Sequence, residues 1–182
     1  GGDLRVAIMQ PYFFPYLGYF QLIGAVDLFI VYDNIKYTKK GWMNRNRMLQ
    51  SGKDVMFSLP LRRDADHLDV RDRWLAQDFQ RDKLLNQLRG AYAKAPQFAE
   101  TMPMIERAVR HDRDNLFDYL QHALTCACEH LQLSTTVRVS STVDIDHSLK
   151  GQDKVIALAQ AVGASRYVNA IEATLRTNYV LR

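Results

Sequence analysis

Apolar residues near the start of the chain come in short unbroken runs, and through its middle they recur at helical spacing. Arg5-Val6-Ala7-Ile8-Met9 and Leu28-Phe29-Ile30-Val31-Tyr32 have the length and composition of buried parallel strands, and the second ends at Asp33-Asn34. Between them, Leu17 to Val26 places Leu17, Phe20, Gln21, Ile23 and Gly24 at helical spacing, with Gly24 near the expected helix end. Strand, helix and strand within about thirty residues is the size of a βαβ unit. A second such unit follows much later. Thr136 to Ser140 alternates as a strand, Gly151 opens an apolar helix through Val162 that Gly163 closes, and Arg166 to Asn169 reads as a short strand.

The middle has a different rhythm. Ile35 to Gln50 is polar, aromatic and basic with no clean period; Ser51-Gly52-Lys53-Asp54 signals a turn, and Val55 to Leu61 predicts a third strand. From Trp74 the period turns helical: Leu75 and Phe79, then Leu84, Leu88 and Tyr92. A helix is expected over Met104 to His111 with Pro103 near its start, and another after Asp114 as N-cap, carrying Leu116, Phe117, Leu120, Leu124 and Leu131. The pattern predicts one α/β domain over residues 3–182. It has an open, mostly parallel sheet, a Rossmann-like N-terminal topology and a helical section at about 74–131.

One segment breaks the local rules. In Gln10-Pro11-Tyr12-Phe13-Phe14-Pro15-Tyr16-Leu17-Gly18-Tyr19-Phe20 a strand hands over to a helix through aromatic rings and two prolines. A proline cannot donate to a ladder and is not tolerated in a helix interior, so this is a shaped loop. In an open parallel sheet that loop lies at the carboxyl edge, where ligands bind. Tyr16-Leu17-Gly18-Tyr19 stands where the nucleotidyltransferase superfamily carries a His- or Thr-x-Gly-His sequence at the start of its first helix. A phenol donates a hydrogen bond to phosphate but supplies no positive charge, which weakens the case for adenylylation.

Composition narrows the classes. The chain has 182 residues, 47% of them hydrophobic, and 24 Lys and Arg against 20 Asp and Glu give a net charge of +4. That mild excess suits anionic small ligands and does not point to nucleic acid. Cys126 and Cys128, two positions apart on a predicted helix, suggest neither a disulfide nor a shared metal. No apolar run is long enough to span a membrane and no leader is evident, so a cytoplasmic location is expected.

Polar candidates for chemistry fall in four places. Lys39-Lys40-Gly41-Trp42-Met43-Asn44-Arg45-Asn46-Arg47 interleaves amides and guanidinium groups beside an indole, suited to holding phosphate and stacking on a ring. Asp33, at the end of the second strand, is placed to bind a ribose hydroxyl, a metal or an amine or to act as general base, or simply to shape a turn or cap a helix. Gly151 and Gln152 open a helix whose first N–H groups can receive an anion. Asp144, Asp146 and His147 resemble a metal cluster only loosely, and His67, His111, His122 and His130 lack a cysteine or carboxylate at catalytic spacing.

These residues together resemble the WbqC-like family. The resemblance rests on Val6 to Tyr16, Gly18-Tyr19-Phe20, Asp27, Tyr32-Asp33, Gly41-Trp42 with Asn44 to Arg47, Ala95-Pro96, and Leu149-Lys150-Gly151-Gln152, and it spans the chain to about Asn169. It departs at the end, where the family's Gly-Gly segment and further C-terminal part are not found after Asn169. The resemblance implies a role in O-antigen or other surface-polysaccharide synthesis, with glycine transfer to an amino sugar suggested. On that basis the expected function is aminoacyl or acyl transfer to a nucleotide-linked amino sugar, with no metal required. The expected catalytic residues are Asp33 and Tyr19. The binding residues are Gln10, Tyr12, Tyr16, Gly18, Lys40, Trp42, Asn44, Arg45, Asn46, Arg47, Gly151 and Gln152. The alternatives are a magnesium-dependent nucleotidyltransferase-like enzyme and a non-catalytic nucleotide-sugar binding module.

Overall fold

A computed structural model describes residues 3–169, so the expected departure from the family pattern after Asn169 lies outside the described residues. The chain divides into two compact units, one of residues 3–10, 15–35 and 133–169, the other of residues 11–14 and 36–132.

The first unit is built on β1 (Arg5–Met9), α1 (Leu17–Gly24), β2 (Leu28–Val31), β5 (Thr136–Val139), α5 (Gly151–Ala161) and β6 (Arg166–Tyr167), with the intervening elements in the second unit. Its sheet has the order β5-β2-β1-β6 and every pairing is parallel. The chain builds from β1 outward to β2 and β5, then returns to β1's other side with β6. The order therefore reverses beside β1, as in doubly wound α/β sheets. Val6 pairs with Leu28 and Ile8 with Ile30, and all four side chains join Tyr32, Val143 and Leu158 in a core completed by Val155 and Val162 of the α5 region. On the other sheet face the buried Tyr19 of α1 meets Phe29 edge-on at 5.4 Å. Both faces are covered, which is why β2 reads as an unbroken apolar run.

The second unit holds an antiparallel hairpin, β3 (Arg45–Gln50) with β4 (Lys53–Ser58), and the helices α2 (Arg81–Tyr92), α3 (Phe98–Val109) and α4 (Leu116–His130). Several expectations change here. The segment without a clean period contains β3, whose partner β4 starts two residues and ends three residues before the predicted third strand, and the pair forms its own two-stranded sheet. Ser51 and Gly52, at φ 52° and 76°, make the two-residue left-handed turn that matches strand twist. The helical rhythm assigned from Trp74 begins only at Arg81. Residues 74–76 are extended, with Leu75 bridged to Leu61 and Trp74 to Asn115, so the Leu75–Phe79 spacing is coincidental. Helix α3 starts at Phe98, which leaves Pro103 inside it. Asn115 rather than Asp114 caps α4, accepting from Asp118 N at 3.0 Å, because Asp114 pairs with Arg81 at 3.1 Å.

Candidate functional site

At the carboxyl edge of the first unit's sheet, β1 runs into Gln10 and β2 into Asp33-Asn34, while β5 leads into a 3-10 turn at Ser140–Thr142. Asp33 is buried, and donors from that turn occupy it. Its Oδ1 accepts from Ser140 Oγ at 3.0 Å and Ser141 N at 3.1 Å, and its Oδ2 accepts from Ser141 Oγ. Asn34 stands beside it. Its Oδ1 shares the single Ser140 hydroxyl proton with Asp33 Oδ1 and accepts, at 3.0 Å, from Nζ of the buried Lys154, which also donates to the Asn34 carbonyl at 2.8 Å. With its oxygen so engaged, Asn34 presents its Nδ2 donor to His147 Nδ1 at 3.0 Å. The imidazole proton then sits on Nε2 and donates to the Val143 carbonyl at 2.8 Å. The Lys154 ammonium also lies 5.3 Å from the Tyr32 ring centroid. Burial, with the nearby Tyr167 phenol, pushes the Tyr32 phenol up to about 12.

Ser140 and Ser141 carry no motif in the sequence, and Asn34 and Lys154 stand out there only as neighbours of Asp33 and of the Gly151 helix start. The signal available was positional: a hydroxyl run immediately after a strand that feeds the same edge, and a lone lysine on the apolar side of α5. His147 was grouped loosely with Asp144 and Asp146, but its ring serves Asn34 and Val143, while Asp146 accepts from Ser148 at 2.7 Å. Ser148's hydrogen bonds hold the Asp146 carboxyl below its usual range.

Tyr19 was expected to act on substrate; its hydroxyl donates to the Gln10 carbonyl at 2.8 Å, tying the end of β1 to α1. Tyr16 is the half-exposed residue before α1, and its ring lies against Gly18, where a Cβ would come within 2.7 Å of Tyr16 Cε2. Gly151 and Gln152 are exposed at the start of α5, and Gly151 holds φ at 56°, a conformation that favours glycine.

In the second unit the strand alternation of β3 separates its side chains into two sets. Arg45 and Arg47 approach the Trp42 ring, 5.5 and 5.8 Å from its centroid. Arg45 is steadied by the carbonyls of Gly41, at 3.0 Å, and Lys40, and Arg47 pairs with Asp54 at 2.9 Å. The asparagines point the other way. Asn44 is buried, accepting from Tyr37 Oη at 2.8 Å and donating to the Leu59 carbonyl at 2.9 Å; Asn46 donates to the carbonyls of Phe13 and Phe14. Both amides therefore shape the unit from within. Tyr12 is half-buried in the same aromatic stretch, and the Lys40 side chain is exposed.

Two of the four histidines, His111 and His122, do have companions. His111 Nε2 lies 3.1 Å from Asp118 Oδ1, its ring stacks on His122 at 3.9 Å, and His122 Nε2 lies 3.4 Å from Cys126 Sγ. The companions come from one helix turn and from a loop fold-back that spacing alone does not reveal. Cys126 and Cys128 are both buried and unbridged, and burial pushes the Cys128 thiol up to about 11, aided by Glu129.

The model of the WbqC-like protein family matches residues 10–178, nearly the whole chain. The chain belongs to that family. A curated relative, "Uncharacterized protein Rv1507c" of Mycobacterium tuberculosis, is 29% identical over 167 residues, covering 91% of this chain and 71% of the relative. No solved structure gives a significant match. Within the family match lie both the Asp33 edge and the Trp42 cluster. Among the described residues no helix is long and apolar enough to cross a membrane.

Proposed function

We propose that this family member transfers an acyl or aminoacyl group, glycyl among the candidates, to the amine of a nucleotide-linked amino sugar in surface-polysaccharide (O-antigen) assembly in the cytoplasm. The observation that carries the reading is the Asp33 carboxylate, fixed by Ser140 and Ser141 at the carboxyl edge of the sheet, one strand away from the β1–β6 boundary where strand order reverses. In the transfer, the sugar amine nitrogen bonds to the acyl carbon, the donor's leaving group departs with the bonding pair, and Asp33 takes the ammonium proton. Arg45, Arg47 and Lys40 hold phosphate and Trp42 stacks on a ring. Those groups and Tyr12 act within the second unit; within the first, Gln10, Tyr16, Gly18 and Tyr19 shape the edge that carries Asp33, and Gly151 and Gln152 present helix N–H groups. The test is mass-spectrometric detection of an acylated nucleotide-sugar. Asp33→Asn is expected to lose about 100-fold or more in turnover with folding retained. Unchanged turnover removes Asp33 from the role.

The strand order also favours a second reading, nucleotidyl transfer, which predicts magnesium dependence and pyrophosphate release. Against it stand tyrosines in both ring positions, one with its hydroxyl donated to a backbone carbonyl.

A further inference from the structure

Arg73 is the most poorly compensated charge among the described residues. It is 4% exposed, its Nε has no hydrogen-bond partner, and its Nη1 reaches only the Ala65 carbonyl at 3.4 Å. Its guanidinium lies 4.7 Å over the Tyr37 ring, and no carboxylate pairs with it among the described residues. A guanidinium does not give up its proton in a protein, so burial cannot neutralise it. A buried charge is retained at low cost only when it is paired and hydrogen-bonded. The Tyr37 face answers the charge in part and leaves the in-plane donors without a strong acceptor.

A second guanidinium adds to the field. Arg45, next in sequence to the Tyr37 partner Asn44, has two backbone carbonyls and the Trp42 ring as partners and no carboxylate among the described residues. Two guanidinium groups of this unit that lack a carboxylate among the described residues leave positive charge that an anion with several acceptor oxygens would balance.

We infer that Arg73, over the Tyr37 ring, forms an anion site in the second unit for a phosphoryl group. The bound oxygens accept from the Arg73 fork, and the weak contact to Ala65 is the one an incoming anion displaces. Tyr37 serves as the platform, fixed by its bond to Asn44. The site stands whatever reaction the protein performs. Only the suggestion that the phosphoryl group belongs to a nucleotide-sugar rests on the function proposed above.

The probes are inorganic phosphate and pyrophosphate, titrated at ionic strength held constant with chloride and read by thermal shift and calorimetry on the whole chain. Wild type should show saturable stabilisation, and Arg73→Lys, which keeps charge but loses the fork, should bind at least about tenfold more weakly. Arg73→Met should lose the response while melting in chloride at or above the wild-type temperature, since an uncompensated charge is gone. A purely structural arginine gives the reverse: a lower melting temperature and an unchanged phosphate response. Absence of saturable binding to wild type, or an undiminished response in Arg73→Met, overturns the inference. Should Arg73→Met fail to fold, Arg73→Lys decides by the same response, and wild-type affinity in it overturns the inference. Phosphate binding lost on Arg73 substitution, with no acylated product from any donor, would leave the site standing and remove only the proposed transfer.

Discussion

Phe14 adopts φ 45°, a left-handed backbone that a bulky residue rarely takes without support. Support comes from Asn46, whose Nδ2 donates to the carbonyls of both Phe13 and Phe14, and from the Phe13 ring, 4.6 Å from that of Phe14. Phe14 and Asn46 then share the wall of a cavity of about 250 Å³ with Phe57, Leu88 and Met104. Asn46→Ala frees those carbonyls and is expected to cost about 1–3 kcal/mol in urea unfolding. A loss within a few tenths would mean that the aromatic packing holds Phe14 alone. Two glycines give opposite expectations. Gly151, at φ 56° with open space around its Cβ position, should lose about 1–2 kcal/mol on change to Ala purely through backbone strain. Gly90, inside α2 and equally unobstructed, should gain about 0.5–1 kcal/mol from the same change.

Elements whose apolar residues face a single core were legible from the chain alone. Strand β1 falls on the expected residues, β2 differs by one, and α5 is bounded by the expected glycines, because two covered sheet faces require unbroken apolar runs. The hairpin was only half legible. β3 reads Arg45-Asn46-Arg47-Met48-Leu49-Gln50, and its alternation is between guanidinium groups and structural amides rather than between polar and apolar residues. The candidate chemistry followed the same division. Asp33 was visible as a carboxylate ending a strand, but its hydrogen-bonding partners Ser140 and Ser141 come from a distant part of the chain that no spacing rule connects. For α4, Asn115→Ala should cost about 0.5–2 kcal/mol, measurable by urea denaturation, since it removes the cap to Asp118. Asn115→Asp keeps an acceptor there but gives up the donation to the Arg71 carbonyl, so it should fall between Ala and wild type.

Across the whole molecule, stability should narrow at both ends of the pH scale. Arg5's side-chain hydrogen bonds hold the Asp27 carboxyl below its usual range. Its contribution is therefore complete above the unfolded carboxylate value and lost as pH falls through the lowered folded one. On the alkaline side the signs reverse. Burial raises the Cys128 thiol to about 11 and the Tyr32 phenol to about 12. These two contributions are complete below the unfolded values of about 8.5 and about 10, and they are lost as pH rises through the folded ones. Urea midpoints should fall progressively from about pH 9 upward, and Cys128→Ala should flatten the earlier part of that decline. Midpoints indifferent to pH up to 11 would contradict the raised thiol.

The bond from Ser140 to Asp33 joins residues 107 positions apart. A chain emerging from synthesis carries Asp33 long before its partners exist, and a refolding chain must close that loop against its entropy. The carboxylate edge is thus an assembly clock. Helical signal should return early, whereas any function that depends on a fixed Asp33 should lag behind it, with the delay set by chain closure rather than by helix formation.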